Sequence, residues 1–308
     1  MKALVTGADG FVGRWLTEHL EASGDQVWRA TRRGRARDGR ERAVELTDAA
    51  SVAALVEWAQ PDAIYHLAAV AFGPDAAGDV GHAIDVTVRG TAFLLEAAAE
   101  APQEPLVMIP SSAEVYGRGE ADAPVVESLL PTPVNVYGAT KLGQEAVALA
   151  YHRLNRVRVV VARAFNHIGP GQRESFVVPS FAGQLAEIAA HGTEPVLRVG
   201  NLEARRDFTD VRDVVRAYRL LVAGVHAGEP VNVASGQAVS IRTIVDRLVA
   251  LSGLTVDIAV DPSRLRTSDL PVVVGDTNRL RSLTGWQPEI PLERTLSDVW
   301  QDAVGRHA

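Results

Sequence analysis

The chain has 308 residues, 47% of them hydrophobic and 22% charged, with a net charge of −7 and no cysteine. That is enough apolar material for one or two closely packed cores. It excludes disulfides, thiolate metal sites and a cysteine nucleophile, and it offers no basic field for nucleic acid or an anionic membrane. His66, His82, His152, His167 and His191 are scattered without ligand spacing, so no metal is expected. No apolar run approaches the roughly 20 residues that span a bilayer. The opening "MKALVTGADGFVG" reaches a glycine turn too soon for a signal peptide, and a cytoplasmic protein is expected.

In chain order, "KALVTG" reads as a strand and "FVGRWLTEHLEASG" as a helix, with "QVWRATR" a second strand. The piece "RATRRGRARDGRER" is the one cluster of charge. "AASVAALVEWAQ" is a helix stopped by Pro61, and "DAIYHLAA" is a third strand. "LVMIPSS" and "VRVVVARAF" are later strands, separated by helical stretches around residues 82–100 and 137–154. Strands and helices interleaved at this spacing imply βαβ units and a parallel sheet. After about residue 165 the pattern loosens into Gly- and Pro-rich loops such as "NHIGPGQRESF". "DFTDVRDVVRAYRLLVAG" reads as an amphipathic helix, and "LERTLSDVWQDAV" as a closing one.

Gly7, Gly10 and Gly13 stand as G-x-x-G-x-x-G after the first strand and at the opening of a helix. The first allows a tight turn and the second a close approach of backbone to a pyrophosphate. The third lets helix pack on strand, with the anion at the helix N-terminus. The expected fold is α/β, a Rossmann-type doubly wound parallel sheet with a smaller C-terminal α/β domain for substrate. Residues 1–165 would bind the dinucleotide, with 208–235 returning to that domain, and 166–308 would mainly bind substrate. A ribose-binding carboxylate is expected at the end of the second strand, but that position reads "ATRR". Arg32 and Arg33 would suit a ribose 2′-phosphate, favouring NADP(H) over NAD(H), while Glu45, Leu46 and Asp48 could line an adenine pocket.

Of the 31 cationic side chains only Lys2 and Lys141 are lysines. Lys141 lies four residues after Tyr137 at the start of a helical stretch, so both share a face. An ammonium beside a phenol favours phenolate and would lower its pKa, readying Tyr137 to exchange a proton with an alcohol or ketone. A compact ammonium suits this better than a planar guanidinium, and it can also bond a nicotinamide ribose. Ser112 falls just past the end of the "LVMIP" strand, where open parallel sheets hold ligands. Its hydroxyl could bond a substrate carbonyl and steady the developing alkoxide. Ser111 and Ser112 could equally be turn residues.

These motifs resemble the extended short-chain dehydrogenase/reductase family, sugar-nucleotide branch, over nearly the whole chain. "TGADGFVG", "HLAA" (66–69), "SSAEVYG" (111–117) and "YGATK" (137–141) match its cofactor and catalytic motifs. The resemblance implies that Asp9, Phe11, Val12, Leu67, Ala68 and Ala69 join the glycines, Tyr137 and Lys141 around the cofactor. It makes Ser112 the carbonyl-binding hydroxyl, Tyr137 the acid/base and Lys141 its partner. "RAFNHIGPGQ", "VGNLEARRDFTDVRD", "LRTSDLP" and "TGWQPEIPLERTL" are similar to the enzymes of GDP-mannose conversion. By that similarity Asn166, Val178, Asn201, Arg206 and Arg266 would hold a GDP-linked 4-keto-6-deoxy sugar. A homodimer through a four-helix bundle, formed by the helices at 82–100 and 137–154, is implied in the same way. Asp85 in "IDVTVRGT" is read as standing where the family usually carries an asparagine that orders the helix beside the site.

Glu114 bears on the reaction. A glutamate there removes a carbon-5 proton in 4,6-dehydratases, but elimination also needs a proton source, and the residue before it is Ala113, which cannot donate. The implied activity is therefore an NAD(P)H-dependent 4-ketoreductase converting GDP-4-keto-6-deoxy-D-mannose to GDP-D-rhamnose. The alternatives are a nucleotide-sugar 4,6-dehydratase or 4-epimerase and, in another class, a non-catalytic NAD(P)-sensing module.

Overall fold

The computed structural model describes residues 1–34, 39–117, 123–265 and 270–308. The first half runs β1 (Lys2–Thr6), α1 (Phe11–Ala22), β2 (Gln26–Thr31), β3 (Glu41–Ala43), α2 (Ala49–Ala59) and β4 (Ala63–His66). Then come α3 (Gly73–Gly78), α4 (Val80–Ile84), a π-helical segment Asp85–Arg89, α5 (Gly90–Ala99), β5 (Leu106–Ser112), α6 (Val136–Arg153) and β6 (Val159–Ala164). The second half runs β7 (Asn166–Ile168), α7 (Val177–His191), β8 (Val196–Val199), β9 (Arg205–Asp210), α8 (Val211–Ala223) and β10 (Pro230–Val233). It closes with β11 (Ala238–Ser240), α9 (Ile241–Ser252), β12 (Asp257–Val260), β13 (Val272–Val273), α10 (Asn278–Thr284) and α11 (Leu292–His307).

Among the described residues, seven strands form one sheet in the order β3-β2-β1-β4-β5-β6-β10, every pair parallel. Every residue of β4 and β6 is buried, as expected for strands covered on both faces. Leu16 and Leu20 of α1 pack with Val214 and Leu221 of α8 on one face. Leu55 of α2, Leu94 and Leu95 of α5 and Ala148 of α6 cover the other. The chain builds outward one way from β1 and the other way from β4, so the crevice for ligands opens above the carboxyl ends of those strands.

A third core joins α7, α9 and α11 around β8 and β9, through Phe181, Leu185, Leu197, Ile244, Leu248 and Leu296. Strands β7, β9, β11 and β13 form a small sheet there, and β8 pairs with β12. The stretch read as one helix from Asp207 divides: residues to Asp210 are β9, and the helix starts at Val211. The Asp210 carboxylate accepts from the Arg212 backbone N–H at 2.8 Å, a cap that fixes the boundary. From there the chain re-enters the large layer, α8 on α1 and β10 beside β6. It does so again at α10, with Leu280 and Trp286 buried in the same core. Among the described residues no helix is long and apolar enough to cross a membrane.

Candidate active site

The glycine turn is shaped by close approach. Gly7 is left-handed (φ +68°), and a Cβ there would lie 3.0 Å from the Ala68 nitrogen. At Gly13 a Cβ would lie 2.1 Å from the Gly7 carbonyl oxygen, so α1 packs at a distance only glycine permits. Gly10 is the N-cap and supplies no side chain to the first-turn N–H groups of α1. These donors at the mouth of the crevice, with no side chain filling the cradle, fit a pyrophosphate. Asp9 is exposed, and its carbonyl accepts from Arg14 Nε at 2.9 Å. Phe11 stacks on His167 with centroids 6.1 Å apart, and Val12 packs into the core.

Leu67, Ala68 and Ala69 follow β4 half-buried, and the Ala68 N–H donates to Thr6 Oγ1 at 3.2 Å. Arg32 and Arg33 are exposed at the end of β2. Leu46 is buried, beneath the glycine that opens α5. Glu45 is exposed, and its carboxylate accepts from the Thr47 hydroxyl at 2.6 Å and N–H at 3.0 Å. Those bonds hold its pKa below the usual carboxylate range.

Ser112 ends β5, buried, and its Oγ accepts the Glu114 N–H at 3.2 Å. Tyr137 lies in the first turn of α6 and hydrogen-bonds Ser112. Two features bring that turn in. A Cβ at Gly138 would meet the Glu114 carbonyl oxygen at 2.5 Å, so glycine lets the helix touch the segment after β5. Asn135 caps α6 through Oδ1 to the Gly138 N–H at 2.8 Å, while its Nδ2 donates to Glu114 Oε2 at 2.7 Å.

The expectation of a lowered phenol pKa is corrected. Burial pushes Tyr137 up to about 12; the Ser112 hydrogen bond opposes the rise, and the Glu114 charge adds to it. Desolvation outweighs any help from the ammonium. Lys141 is enclosed on the same helix, its Nζ donating to the Pro110 carbonyl at 2.9 Å and to Gln144 Oε1 at 3.0 Å. Burial lowers it to about 8, with Glu145 opposing.

The substrate candidates are spread more widely. Asn166 is exposed on β7. Asn201 is exposed in the turn before β9, its Oδ1 accepting the Glu203 N–H at 3.0 Å. Arg206 donates to the carbonyls of Arg205 and Leu270, each at 2.8 Å. The Val178 side chain is fully buried in the third core, so only its backbone could meet a ligand; an apolar residue in the first turn of an amphipathic helix goes inward. Arg266 lies outside the described residues. Asp85 is a second correction: it is partly exposed and paired with Arg89 at 3.3 Å. Thr87, two residues on in the π segment, is the buried residue, accepting the Val70 N–H at 3.3 Å. Asn135, Gln144 and His66 were not singled out for the site by sequence. Asn135 carried a legible signal, a capping residue two before the tyrosine; the partners of the other two are remote in sequence.

The family model described as GDP-mannose 4,6 dehydratase matches residues 4–299. A GDP-6-deoxy-D-mannose reductase of Pseudomonas aeruginosa is 36% identical over 307 residues, 99% of this chain and 98% of that protein. A GDP-6-deoxy-D-talose 4-dehydrogenase of Aggregatibacter actinomycetemcomitans is 30% identical over 287 residues, 92% of each. The structure of RMD from Pseudomonas aeruginosa complexed with NADPH superposes with a TM-score of 0.88 at 34% identity, covering 99% of this chain and all of that one.

Proposed function

The chain belongs to the GDP-mannose 4,6 dehydratase family of extended short-chain dehydrogenases/reductases, and within it we propose a nicotinamide-dependent 4-ketoreductase that converts GDP-4-keto-6-deoxy-D-mannose to GDP-D-rhamnose. The observation that carries this reading is Tyr137 set against Ser112 at the carboxyl edge of β5, with Lys141 one turn on along α6 and bonded to the Pro110 carbonyl of the same strand. When bound, the nicotinamide supplies the hydride. The Ser112 hydroxyl binds the substrate's 4-keto oxygen, and the Tyr137 phenol delivers its proton to that oxygen as it becomes an alkoxide. A phenol held near 12 is fully protonated at neutral pH, as a proton donor must be. Lys141 places positive charge where the tyrosinate forms and offers a donor to the nicotinamide ribose. Reprotonation from solvent restores the phenol.

Glu114 separates reduction from elimination. It accepts from Asn135 Nδ2 at 2.7 Å, and Ala113 beside it has no proton to give a departing hydroxyl. Both features favour the reductase over a dehydratase. Arg32 and Arg33 beyond β2, in an "ATRR" segment that itself carries no carboxylate, support NADPH over NADH. The relative solved with NADPH points the same way. Asn166, Asn201, Arg206 and Arg266 are the residues proposed to hold the GDP-sugar, in a C-terminal unit separate from the cofactor-binding layer. A homodimer is proposed across α5 and α6, where Ala139, Ala146 and Ala150 form an exposed stripe of small residues.

The test is NADPH absorbance with GDP-4-keto-6-deoxy-D-mannose, NADH in parallel, and the product resolved by NMR. Stoichiometric oxidation with GDP-D-rhamnose formed is expected. The axial epimer at carbon 4, the talose product, would move the assignment toward the 30% identical dehydrogenase. No oxidation at all sinks the reductase. Tyr137→Phe should lower kcat by about 10²–10⁴-fold with cofactor binding intact, whereas a sensing module would keep its function.

A further inference from the structure

Behind Lys141 runs a chain of buried hydrogen bonds that reaches back to the glycine turn. Thr91 has one hydroxyl proton, and it goes to the Thr87 carbonyl at 2.6 Å. Thr91 Oγ1 therefore accepts from its two other partners, Gln144 Nε2 at 2.8 Å and His66 Nε2 at 3.1 Å. That assigns the imidazole proton to Nε2 and makes Nδ1 the acceptor for Thr6 Oγ1 at 2.8 Å. Thr6 Oγ1 in turn accepts the Ala68 N–H, whose nitrogen is the close neighbour of Gly7. Gln144, with its amide thus fixed, can present only Oε1 to the Lys141 ammonium. Thr6, His66, Thr87, Thr91 and Gln144 are all fully buried, so no water competes for any of these bonds.

Resting on the catalytic reading of Lys141, we infer that Gln144, locked by Thr91 and His66, is a positioning residue that sets both the direction and the proton affinity of the Lys141 ammonium. Lys141 Nζ has three N–H bonds, and the protein takes two, through Pro110 and Gln144. Among the described residues no acceptor takes the third, which leaves it for a ligand. A neutral acceptor orients the ammonium without adding charge, so Lys141 keeps the lowered pKa that burial gives it. A carboxylate in the same place would bind the proton harder.

The other groups around Lys141 are accounted for. His66 of β4 is neutral, held to about 3 by burial and by Lys141 itself. Glu145 of α6 is committed to Arg163 of β6, at 2.9 and 2.7 Å. Tyr137 lies one turn earlier, and Glu114 follows β5 with its partner Asn135. The Asp85–Arg89 pair is partly exposed, and Asp75 of α3, His82 of α4 and Glu96 of α5 lie at exposed positions.

The chain's composition makes a direct test practical. With only Lys2 and Lys141 present, lysine labelled at Cε gives two NMR signals, Lys2 serving as internal control. In cofactor-free protein, Gln144→Leu should move the Lys141 titration downward and Gln144→Glu upward, each by about one pH unit. The alkaline limb of kcat for NADPH-dependent reduction should move in the same two directions, with KM for the sugar nucleotide changed by less than about twofold. Thr91→Val, which never touches Lys141, should give a smaller downward shift, and it serves if a Gln144 variant fails to fold. An unmoved Lys141 signal in the folded variants overturns the inference even if the enzyme is active. Shifted signals in a protein that never oxidises NADPH leave the positioning role and sink the catalytic one. A purely structural role for Gln144 would lower stability and shift neither titration.

Discussion

Lys141 is buried, its ammonium held by the Pro110 carbonyl and Gln144, and burial lowers its pKa to about 8 from an ordinary 10.5. Below about pH 8 both native and unfolded chains carry the charge, so the native state bears the whole cost of burying it. Between about 8 and 10.5 the unfolded chain holds the proton and the native chain does not, so native stability rises with pH through that window. Lys141→Met should therefore be more stable than the parent below pH 8, by about 1–2 kcal/mol once the stranded acceptors are counted. The advantage should shrink as pH rises toward 10.5, and turnover should be lost throughout. Thermal melts between pH 7 and 10.5 check it; a variant less stable at pH 7 would contradict the sign. The Tyr137–Lys141 pair was legible because four residues on a helix is a local rule. Gln144 was not, because its meaning comes from Thr91 and His66, which lie 53 and 78 positions upstream. The phenol's rise was also out of reach, since desolvation depends on packing that no spacing encodes.

The glycine turn shows how one element sets the seat of another. A Cβ at Gly13 would sit 2.1 Å from the Gly7 oxygen and 2.8 Å from Ala8 Cα, both backbone. Gly13→Ala must push α1 away from β1 and spoil the anion cradle at the helix start. About 1–3 kcal/mol of stability and at least tenfold in cofactor affinity should be lost. Gly73→Ala is the control, since nothing lies within 4 Å of a Cβ there and its backbone is not left-handed. Denaturant unfolding and cofactor titration measure both; equal behaviour of the two variants would refute the steric account. Strands with continuous aliphatic runs, β1, β4, β5 and β6, could be read directly. The three-residue β3 could not, because pairing with β2 rather than propensity makes it a strand. Phe208 and Thr209 were absorbed into a helical pattern because Asp210, the cap, resembles any other polar position until its side chain is seen to turn back.

For the molecule as a whole, the parallel sheet and the crevice above β1 and β4 followed from the alternation of strand and helix. Association is the property at this scale to test. If α5 and α6 pair with their symmetry mates, Ala146→Glu, which puts a carboxylate in the middle of the exposed stripe, should halve the mass seen by light scattering. A dimer mass unchanged in Ala146→Glu would exclude that face. What the sequence hid was the second return at α10, because only its packing against α8 and β10 places it in that layer.

That weaving constrains recombination between relatives. A chimera joined once near residue 165 would draw α8, β10 and α10 from one parent and the sheet and helix they must fit from the other. Leu221, Val231, Leu280 and Trp286 would then meet a foreign core. An exchange that respects the packing keeps α8, β10 and α10 with the first parent. It transplants the remaining pieces together, roughly 166–210, 234–277 and 287–308. If those pieces hold the sugar, as proposed, its preference passes between relatives as a mosaic rather than as a block.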